Sequence, residues 1–260
     1  MTTLQCNSEE AQRLLALYVT PEIVAQRRHF LQVFIPRPGE RVLDVGSGPG
    51  LLAAAIAEAV GATGAVSGVD ISEPLLAAAR AQCATYPWVD FQRSEATQLP
   101  FPADAFDALV STQVLEYVQE VDTALAEFHR VVRPGGRVAL MDTDWDSLVW
   151  HTPHPERTRR ILAAYTAHAA HCYLPRTLAN RLRRVGFQVE AQQALPLFSP
   201  TYDPNSYSNR SLDGIAAFVA GREGITREEA NTWAHELRQF AEHGEYFFSL
   251  NRYIFLATKP

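Results

Sequence analysis

The sequence predicts an α/β protein with a parallel sheet flanked by helices, on two observations. A short run of apolar and β-branched residues at 41–45 leads into a glycine-rich turn at 46–50 and then an alanine-rich helix. Segments typical of strands and of helices then alternate up to residue 142. Such alternation favours parallel strands joined by right-handed crossovers, and ligands collect at the carboxyl ends of those strands.

The glycine-rich turn predicts a ligand site. Gly46, Gly48 and Gly50 lack side chains where the backbone must turn sharply and approach a ligand. The helix that follows directs its free N–H groups and the positive end of its dipole at the turn.

The second strand, 65–70, ends in an acid, and Ser72 and Pro74 suit the start of the next helix. An acid at this position, Asp70, accepts hydrogen bonds from both hydroxyls of a ribose. The first third of the chain therefore predicts a site for an adenosine-containing ligand.

The glycine spacing argues against a dinucleotide. The spacing is G-x-G-x-G, and Leu51 stands where the dinucleotide fingerprint has its third glycine. A P-loop pattern is absent from the sequence. An NAD-dependent enzyme remains a weaker alternative.

An ordered set of motifs resembles the class I S-adenosylmethionine (SAM) methyltransferases, and in particular the type 11, UbiE-like enzymes that act on small molecules. Residues 42–50 match the first motif, hydrophobic-hydrophobic-Asp-x-Gly-x-Gly-x-Gly. Residues 91–101 resemble the third-strand motif, with Glu95 where most relatives have Asp. Residues 106–117 resemble the fourth strand and its tip, and 125–136 resemble the helix and turn before the fifth strand.

The resemblance implies a Rossmann-like, seven-stranded, mostly parallel sheet with an antiparallel last strand at 246–257. It implies SAM as the cofactor, with Glu95 at the adenine amino group and Tyr18 and Arg27 at the methionine carboxylate; Arg28 is better explained as solvated. The expected cofactor-binding residues are Tyr18, Arg27, Asp44, Gly46, Ser47, Gly48, Gly50, Asp70, Ile71, Glu95, Ala96, Thr112 and Gln113.

A single methyltransferase domain is expected over 1–260, with a helical cap at 1–40, a SAM-binding core at 41–142 and an acceptor-side half at 143–260. The cap is predicted as two helices within 8–34, interrupted at Thr20, which precedes Pro21. The second half is predicted to contain helices at 156–171, 177–185, 215–219 and 227–243, a strand at 187–191, a loop at 195–209 and a lid at about 195–245.

The segment after the fifth strand, 141–151, is rich in Asp, Trp and His and is expected beside the reactive methyl group. His151 is the first candidate for a general base, and Asp144 is expected to orient it or to act alone. His168 and His171 are expected three residues apart on one helix. Packing or solvent exposure explains any of these histidines equally simply, and this pair lacks a third metal ligand, so no metal site is expected.

Composition restricts the class of protein. The chain is 47% hydrophobic and 20% charged, which is typical of a globular domain, and its net charge of −6 does not favour nucleic-acid binding. Cys6, Cys83 and Cys172 are too scattered for a disulfide framework or a zinc site. The sequence shows neither a signal peptide nor a membrane-spanning run, so we expect a cytoplasmic protein, with a homodimer as a candidate assembly.

The sequence thus predicts a SAM-dependent methyltransferase that moves a methyl group to an O, N or C atom of a small-molecule acceptor by in-line displacement. A non-catalytic SAM-binding regulator is the main alternative.

Overall fold

The computed structural model describes residues 8–242 and 244–260. Cys6, and His243 at the end of a predicted helix, lie outside these residues. The strands are β1 (Arg41–Val45), β2 (Ala65–Asp70), β3 (Val89–Arg93), β4 (Phe106–Thr112), β5 (Val132–Trp150), β6 (Gln188–Ser199) and β7 (Phe248–Thr258). The helices are α1 (Ser8–Tyr18), α2 (Pro21–Phe34), α3 (Leu51–Val60), α4 (Glu73–Gln82), α5 (Val121–Val131), α6 (Pro155–Tyr165), α7 (Pro175–Arg184), α8 (Tyr207–Val219) and α9 (Arg227–Glu242), with 3-10 turns at Leu115–Tyr117 and Thr166–His168.

The seven strands form one sheet in the order β3-β2-β1-β4-β5-β7-β6, which confirms the predicted fold class. β7 runs antiparallel to both of its neighbours, β5 and β6, and β1 to β5 pair in parallel. The carboxyl ends of β1, β2, β3 and β4 therefore meet at one edge of the sheet, which we call the rim.

Both faces of the sheet are covered by apolar side chains. Residues of α2 and α3 pack on one face, and residues of α5 and α7 pack on the other. A third apolar cluster joins α6, α8 and α9 to the ends of β5 and β7 that extend beyond the rim. This third cluster places α6, α8 and α9 next to the site described below.

The two N-terminal helices break where the sequence predicts. Thr20 occupies the N-cap of α2 and Pro21 begins the helix. The Thr20 hydroxyl does not cap α2, because it donates a hydrogen bond to the Leu17 carbonyl oxygen at 2.8 Å. The hydroxyl therefore stabilises the connection between α1 and α2.

β5 is longer than predicted, because residues 143–150 continue the strand where a connection was expected. Beyond a bulge after Asp144, Val149 and Trp150 pair with Ser249 and Phe248 of β7. Trp145, which is buried, packs into the third apolar cluster. Pairing with β7 and burial of these side chains stabilise an extended backbone here.

The predicted loop at 195–209 is wrong at its start, because residues 195–199 are the end of β6 and pair with β7. α8 begins at Tyr207, well before the predicted residue 215, since Ser206 Oγ accepts a hydrogen bond from Asn209 N at 3.2 Å. α9 begins after Thr226, whose Oγ1 accepts from Glu229 N at 3.1 Å. The helical part of the predicted lid is therefore α8 with α9.

The predicted helix at 156–171 is also too long. α6 ends at Tyr165 and is followed by one 3-10 turn that contains His168. His171 lies beyond this turn, and its backbone N–H donates to the Glu116 carbonyl oxygen at 2.9 Å. His168 and His171 therefore do not share a helix. α7 ends at Arg184, close to the predicted end; its C-cap residue is Val185, and Gly186 (φ 105°) follows.

Candidate active site

The glycine-rich turn between β1 and α3 has a backbone shape that glycine adopts easily and other residues do not. Gly46 and Gly50 have φ angles of 73° and 78°, in the left-handed region. A Cβ on Gly46 would lie 2.1 Å from Val114 Cγ2, and one on Gly50 would lie 2.9 Å from the Ala79 Cα. Backbone conformation and packing both require glycine, so the turn holds a fixed shape.

The middle of the same turn is open. The nearest atom to a Cβ on Gly48 would be Tyr18 Cε2, at 3.9 Å. Tyr18 ends α1, so the N-terminal helices lie over the turn. Arg27 of α2 is half-buried and its Nη1 donates to the Tyr18 carbonyl oxygen at 3.4 Å, whereas Arg28 is exposed. The structure therefore brings Tyr18 to the glycine turn and Arg27 next to Tyr18.

Asp70, at the end of β2, connects the two loops of the rim. Its Oδ2 accepts from Gly48 N and its Oδ1 accepts from Ser72 N, each at 2.9 Å. Burial raises the pKa of Asp70, and the backbone donors Ser72, Gly48 and Ile71 partly offset that rise. A carboxylate offers about four acceptor positions, so Asp70 can still accept hydrogen bonds from ligand hydroxyls.

Three buried polar atoms near the turn have no hydrogen-bond partner among the described residues: Asp44 Oδ2, Ser47 Oγ and Ser111 Oγ. Burial, and then the charge of Asp70, raise the pKa of Asp44 to about 7. Buried polar atoms are nearly always paired in folded proteins. Unpaired atoms at the ends of β1 and β4 therefore suit a polar ligand.

The next loop of the rim follows β3. Ser94 N donates to the Asp70 carbonyl oxygen at 3.1 Å, which holds this loop beside β2. The Glu95 side chain is exposed and Ala96 is buried. The structure thus places Glu95 and Asp70 on one rim, as predicted.

The tip of β4 completes the rim. Gln113 has a φ of 58°, an uncommon conformation for a residue other than glycine. Its backbone N–H donates to the Met141 carbonyl oxygen at 2.6 Å, and its Nε2 donates to Thr143 Oγ1 at 3.3 Å. Thr112 and Gln113 are half-buried. Backbone strain of this kind is concentrated at ligand sites.

Beyond the glycine turn, three tyrosines lie close together. Tyr18, Tyr117 and Tyr165 keep accessible surface and are only half-buried. Burial of the hydroxyl groups nevertheless raises all three pKa values, that of Tyr18 to about 12. The rings of Tyr117 and Tyr165 both contact the ring of His168. We call this group of side chains, with the accessible surface that it leaves open, the aromatic cleft; Tyr18 borders both this group and the glycine turn.

Two buried carboxyl groups connect the tip of β4 to β5 next to this cleft. Glu116 Oε2 accepts from Thr143 N at 2.7 Å, and its Oε1 accepts from Trp145 Nε1 at 3.3 Å. Asp142 Oδ1 accepts from Glu116 N at 3.3 Å. Burial raises the pKa of both carboxyl groups. Their hydrogen bonds to backbone and indole hold the wall of the cleft in place.

His168 packs among the aromatic rings at this site. Its ring stacks on Tyr165 with the centroids 4.0 Å apart and meets Trp145 edge-on at 4.4 Å. Nδ1 lies 2.6 Å from the Tyr165 carbonyl oxygen, which only accepts, so Nδ1 carries the proton. Burial lowers the pKa of His168 to about 4. The imidazole is therefore neutral at pH 7, and its buried Nε2 has no partner among the described residues.

The two residues predicted to be catalytic lie elsewhere. His151 is exposed just beyond the end of β5, where its ring lies 5.2 Å from that of Phe240 and its N–H donates to the Phe247 carbonyl oxygen. Both Asp144 carboxylate oxygens accept from Arg176, at 2.8 and 2.9 Å. The expectation that both would follow β5 at the rim was wrong because β5 continues past it, and neither side chain reaches the cleft in this structure.

Sequence reasoning missed Arg252, a fully buried arginine on β7, and it gave no role to Glu116. A signal for Arg252 was present, because it occupies the same alternation in β7 as the buried Phe248, Leu250 and Ile254. A charged residue at a core position of a strand is uncommon unless it is paired or functional.

Comparisons with known proteins identify the family. Residues 43–140 match the family model described as a methyltransferase domain. The chain is 33% identical over 235 residues to a 37.1 kDa protein of transposon TN4556 from Streptomyces fradiae, which covers 80% of this chain and 67% of that protein. It is 39% identical over 132 residues to the 2-phytyl-1,4-naphtoquinone methyltransferase of Synechococcus elongatus, which covers 50% of this chain but only 54% of the relative.

The fold is shared with a phosphoethanolamine N-methyltransferase of Haemonchus contortus, solved with S-adenosylhomocysteine, at a TM-score of 0.63 and 19% identity. The superposition covers 98% of this chain and 59% of that one. The chain belongs to the class I SAM-dependent methyltransferases, and SAM is the methyl donor of this family.

The residues at the rim fit SAM, because the open turn at Gly48 and the unpaired atoms of Asp44, Ser47 and Ser111 offer hydrogen-bonding groups to a polar ligand. None of the described helices combines the length and the apolar character needed to span a bilayer. Within the described ranges, no three His, Cys, Asp or Glu side chains are grouped so that they could hold a metal ion.

Proposed function

We propose that this protein transfers a methyl group from SAM to an O, N or C atom of a small molecule bound in the aromatic cleft. The observation that carries the proposal is the position of Tyr18, which lies on the glycine turn and also lines the cleft. A ligand on the rim and a second ligand in the cleft would therefore be neighbours.

SAM supplies a methyl group activated by a positively charged sulfur. The residues that we propose for its binding are Tyr18, Arg27, Asp44, Gly46, Ser47, Gly48, Gly50, Asp70, Ile71, Glu95, Ala96, Thr112 and Gln113. Asp70 accepts from the ribose hydroxyls, and Glu95 accepts from the adenine amino group. Arg27 and Tyr18 hold the methionine carboxylate, a role that suits the planar donors of arginine.

On the acceptor side, the chain binds and orients the acceptor and excludes water. The rings of Tyr117, Tyr165 and Trp145 form an apolar wall, and a ring-shaped acceptor packs well against such a wall. Quinone rings are one candidate, given the name of the Synechococcus relative. Correct placement of an acceptor next to an activated methyl group supplies most of the catalysis that such a reaction needs.

His168 replaces His151 as the proposed proton acceptor. Its Nε2 is unprotonated, buried and unpartnered beside the cleft, and Nδ1–H is fixed by the Tyr165 carbonyl oxygen. When the acceptor carries an O–H or N–H, the proton moves to His168 Nε2 as the oxygen or nitrogen is methylated. Asp144 holds Arg176 and takes no part in this step.

Transfer of a radiolabelled methyl group from SAM to a panel of phenols, aromatic acids, quinols and amines tests this proposal. We expect extractable labelled product from at least one class, and none from an Asp70→Ala variant at limiting SAM. Tight SAM binding without product from any class would contradict methyl transfer and favour a SAM-binding regulator.

We also infer that the protein is cytoplasmic and dimeric. Cys83 and Cys172 are buried free thiols, which suits a reducing compartment. Phe198 and Phe247 are half-exposed and in ring contact at 5.4 Å, and an exposed apolar pair of this kind suits a contact between subunits. Light scattering of the wild type and of a Phe198→Ser variant tests the dimer; two monomeric proteins would refute it.

A further inference from the structure

Arg252 is the most deeply buried basic side chain near the aromatic cleft. It is 1% exposed and lies on β7 opposite Thr143 of β5. Its Nη1 donates to Gln26 Oε1 on α2. Its guanidinium carbon lies 5.1 Å from the centre of the Tyr207 ring, at the start of α8.

Among the described residues, the Arg252 guanidinium hydrogen-bonds only two side chains, those of Gln26 and Tyr207, and neither is an acid. It forms no ion pair with any described Asp or Glu, and its Nε has no hydrogen-bond partner there. Glu116 is the acid whose charge interacts with it, but both Glu116 oxygens accept from Thr143 and Trp145. Burial raises the pKa of Glu116, which weakens it further as a counter-charge. An unpaired buried charge is strongly destabilising, so a bound anion would offset a real cost.

Arg252 lies close to tyrosines of the aromatic cleft. Its positive charge acts on the hydroxyl groups of Tyr18 and Tyr207, and lowers both pKa values against the larger effect of burial. Tyr18 and Tyr207 in turn act on the hydroxyl group of Tyr117. The guanidinium therefore lies within electrostatic reach of the groups that line the acceptor side.

We propose that Arg252 binds an anionic oxygen group of the methyl acceptor, and that the acceptor is an aromatic acid. The aromatic rings of the cleft pack against the ring of the acceptor, while the planar, permanently charged guanidinium pairs with its carboxylate. This proposal rests on the proposed function, since it names the class of molecule that the same cleft takes. The methionine carboxylate of the donor is assigned to Arg27 and Tyr18, so Arg252 serves the acceptor.

The experiment uses three small probes of one shape: benzoate, benzamide and benzylamine. Calorimetry or ligand-detected NMR measures the binding of each to the full-length protein saturated with S-adenosylhomocysteine. We expect benzoate to bind at least about tenfold more tightly than either other probe, since only benzoate pairs with a buried cation.

Two variants isolate the charge. Arg252→Gln keeps a hydrogen-bond donor and removes the charge, and it should remove the preference for benzoate. Arg252→Lys keeps the charge and should retain part of the preference for benzoate. Arg137→Gln is the matched control, because Arg137 is a half-buried arginine that pairs with Glu40 away from the cleft. It should leave the binding of all three probes within about twofold. Thermal unfolding confirms that each variant is folded.

Several results would overturn the proposal. These are equal binding of benzoate and benzamide, no benzoate binding up to about 10 mM, or an unchanged benzoate preference in Arg252→Gln. A loss of S-adenosylhomocysteine binding in Arg252→Gln with an unchanged benzoate preference would reassign the residue to the donor. Failure of the proposed function is separate, since it would appear as absence of donor binding or of methyl transfer in the wild type.

Discussion

The rim and the aromatic cleft are built in different ways. The rim is made of backbone turns at the ends of adjacent strands, with short-range contacts such as those between Asp70 and the N–H groups of Gly48 and Ser72. The cleft is made of side chains that come from α1, the tip of β4, the end of α6 and, nearby, α8 and β7. The rim therefore follows from local sequence motifs, whereas the cleft depends on how distant segments pack. A family can keep one cofactor and change its acceptor by changing the second region alone.

The largest expected effect is at the rim, where the backbone itself is the binding element. Gly46→Ala should lower the free energy of unfolding by about 4 kcal/mol, because the cost of a positive φ is added to the cost of a clash with Val114. Gly61→Ala is the control, since Gly61 also has a positive φ, of 67°, but nothing lies within 4 Å of its Cβ position. It should cost only about 1 kcal/mol. Urea unfolding measures both, and equal losses would contradict a rigid turn.

Asp44 should make the stability of the rim depend on pH. The pKa of Asp44 is raised from 3.8 to about 7. Its contribution to the free energy of unfolding is therefore fully present below about pH 4 and is lost as the pH rises through 7. Relative to the wild type, Asp44→Asn should therefore gain about 4 kcal/mol of stability between pH 4 and pH 8. Ser111→Ala removes a nearby unpaired polar atom that does not titrate, and its difference from the wild type should be constant with pH. A constant difference for Asp44→Asn as well would refute the shift.

A substitution at Asp70 tests cofactor binding specifically. Asp70→Ala should weaken SAM and S-adenosylhomocysteine by at least about tenfold, because the ribose hydroxyls lose their acceptor and the Gly48 loop loses its anchor. Asp90→Ala serves as control. Asp90 lies on an exposed part of β3 and accepts a hydrogen bond from Ser67 Oγ of β2. Unchanged affinity of Asp70→Ala in calorimetry would remove Asp70 from the site.

The smallest effect is expected at His151, which lies outside both regions. His151→Ala should change methyl transfer to an identified acceptor by no more than about twofold at any pH, because the side chain is exposed and packs on Phe240. A loss of about 100-fold, typical of a missing general base, would restore the role predicted from the sequence.

The sequence was sufficient to predict the sheet, its last strand and the residues of the rim. Gly46 follows β1, Asp70 ends β2 and Glu95 lies two residues after β3. Parallel strands bring their carboxyl ends together without further information. The same reasoning failed at residues 143–150, because pairing with β7 extends β5 and moves His151 away.

The cleft could not be predicted because none of its members stands in a local motif. Tyr18, Tyr117 and Tyr165 become neighbours only through packing of α1 and α6 on the sheet. His168 looked like one of two histidines on a helix, and the 3-10 turn after α6 separates it from His171. Arg252 was recognisable only as a charge at a core position of β7.

Side-by-side calorimetry of the protein with SAM, S-adenosylhomocysteine and NAD tests the assignment of the rim most directly. We expect micromolar binding of SAM and S-adenosylhomocysteine, and no heat from NAD, because Leu51 and the open Gly48 suit a SAM-type turn. Binding of NAD alone would contradict both the assignment of the rim and the proposed methyl transfer.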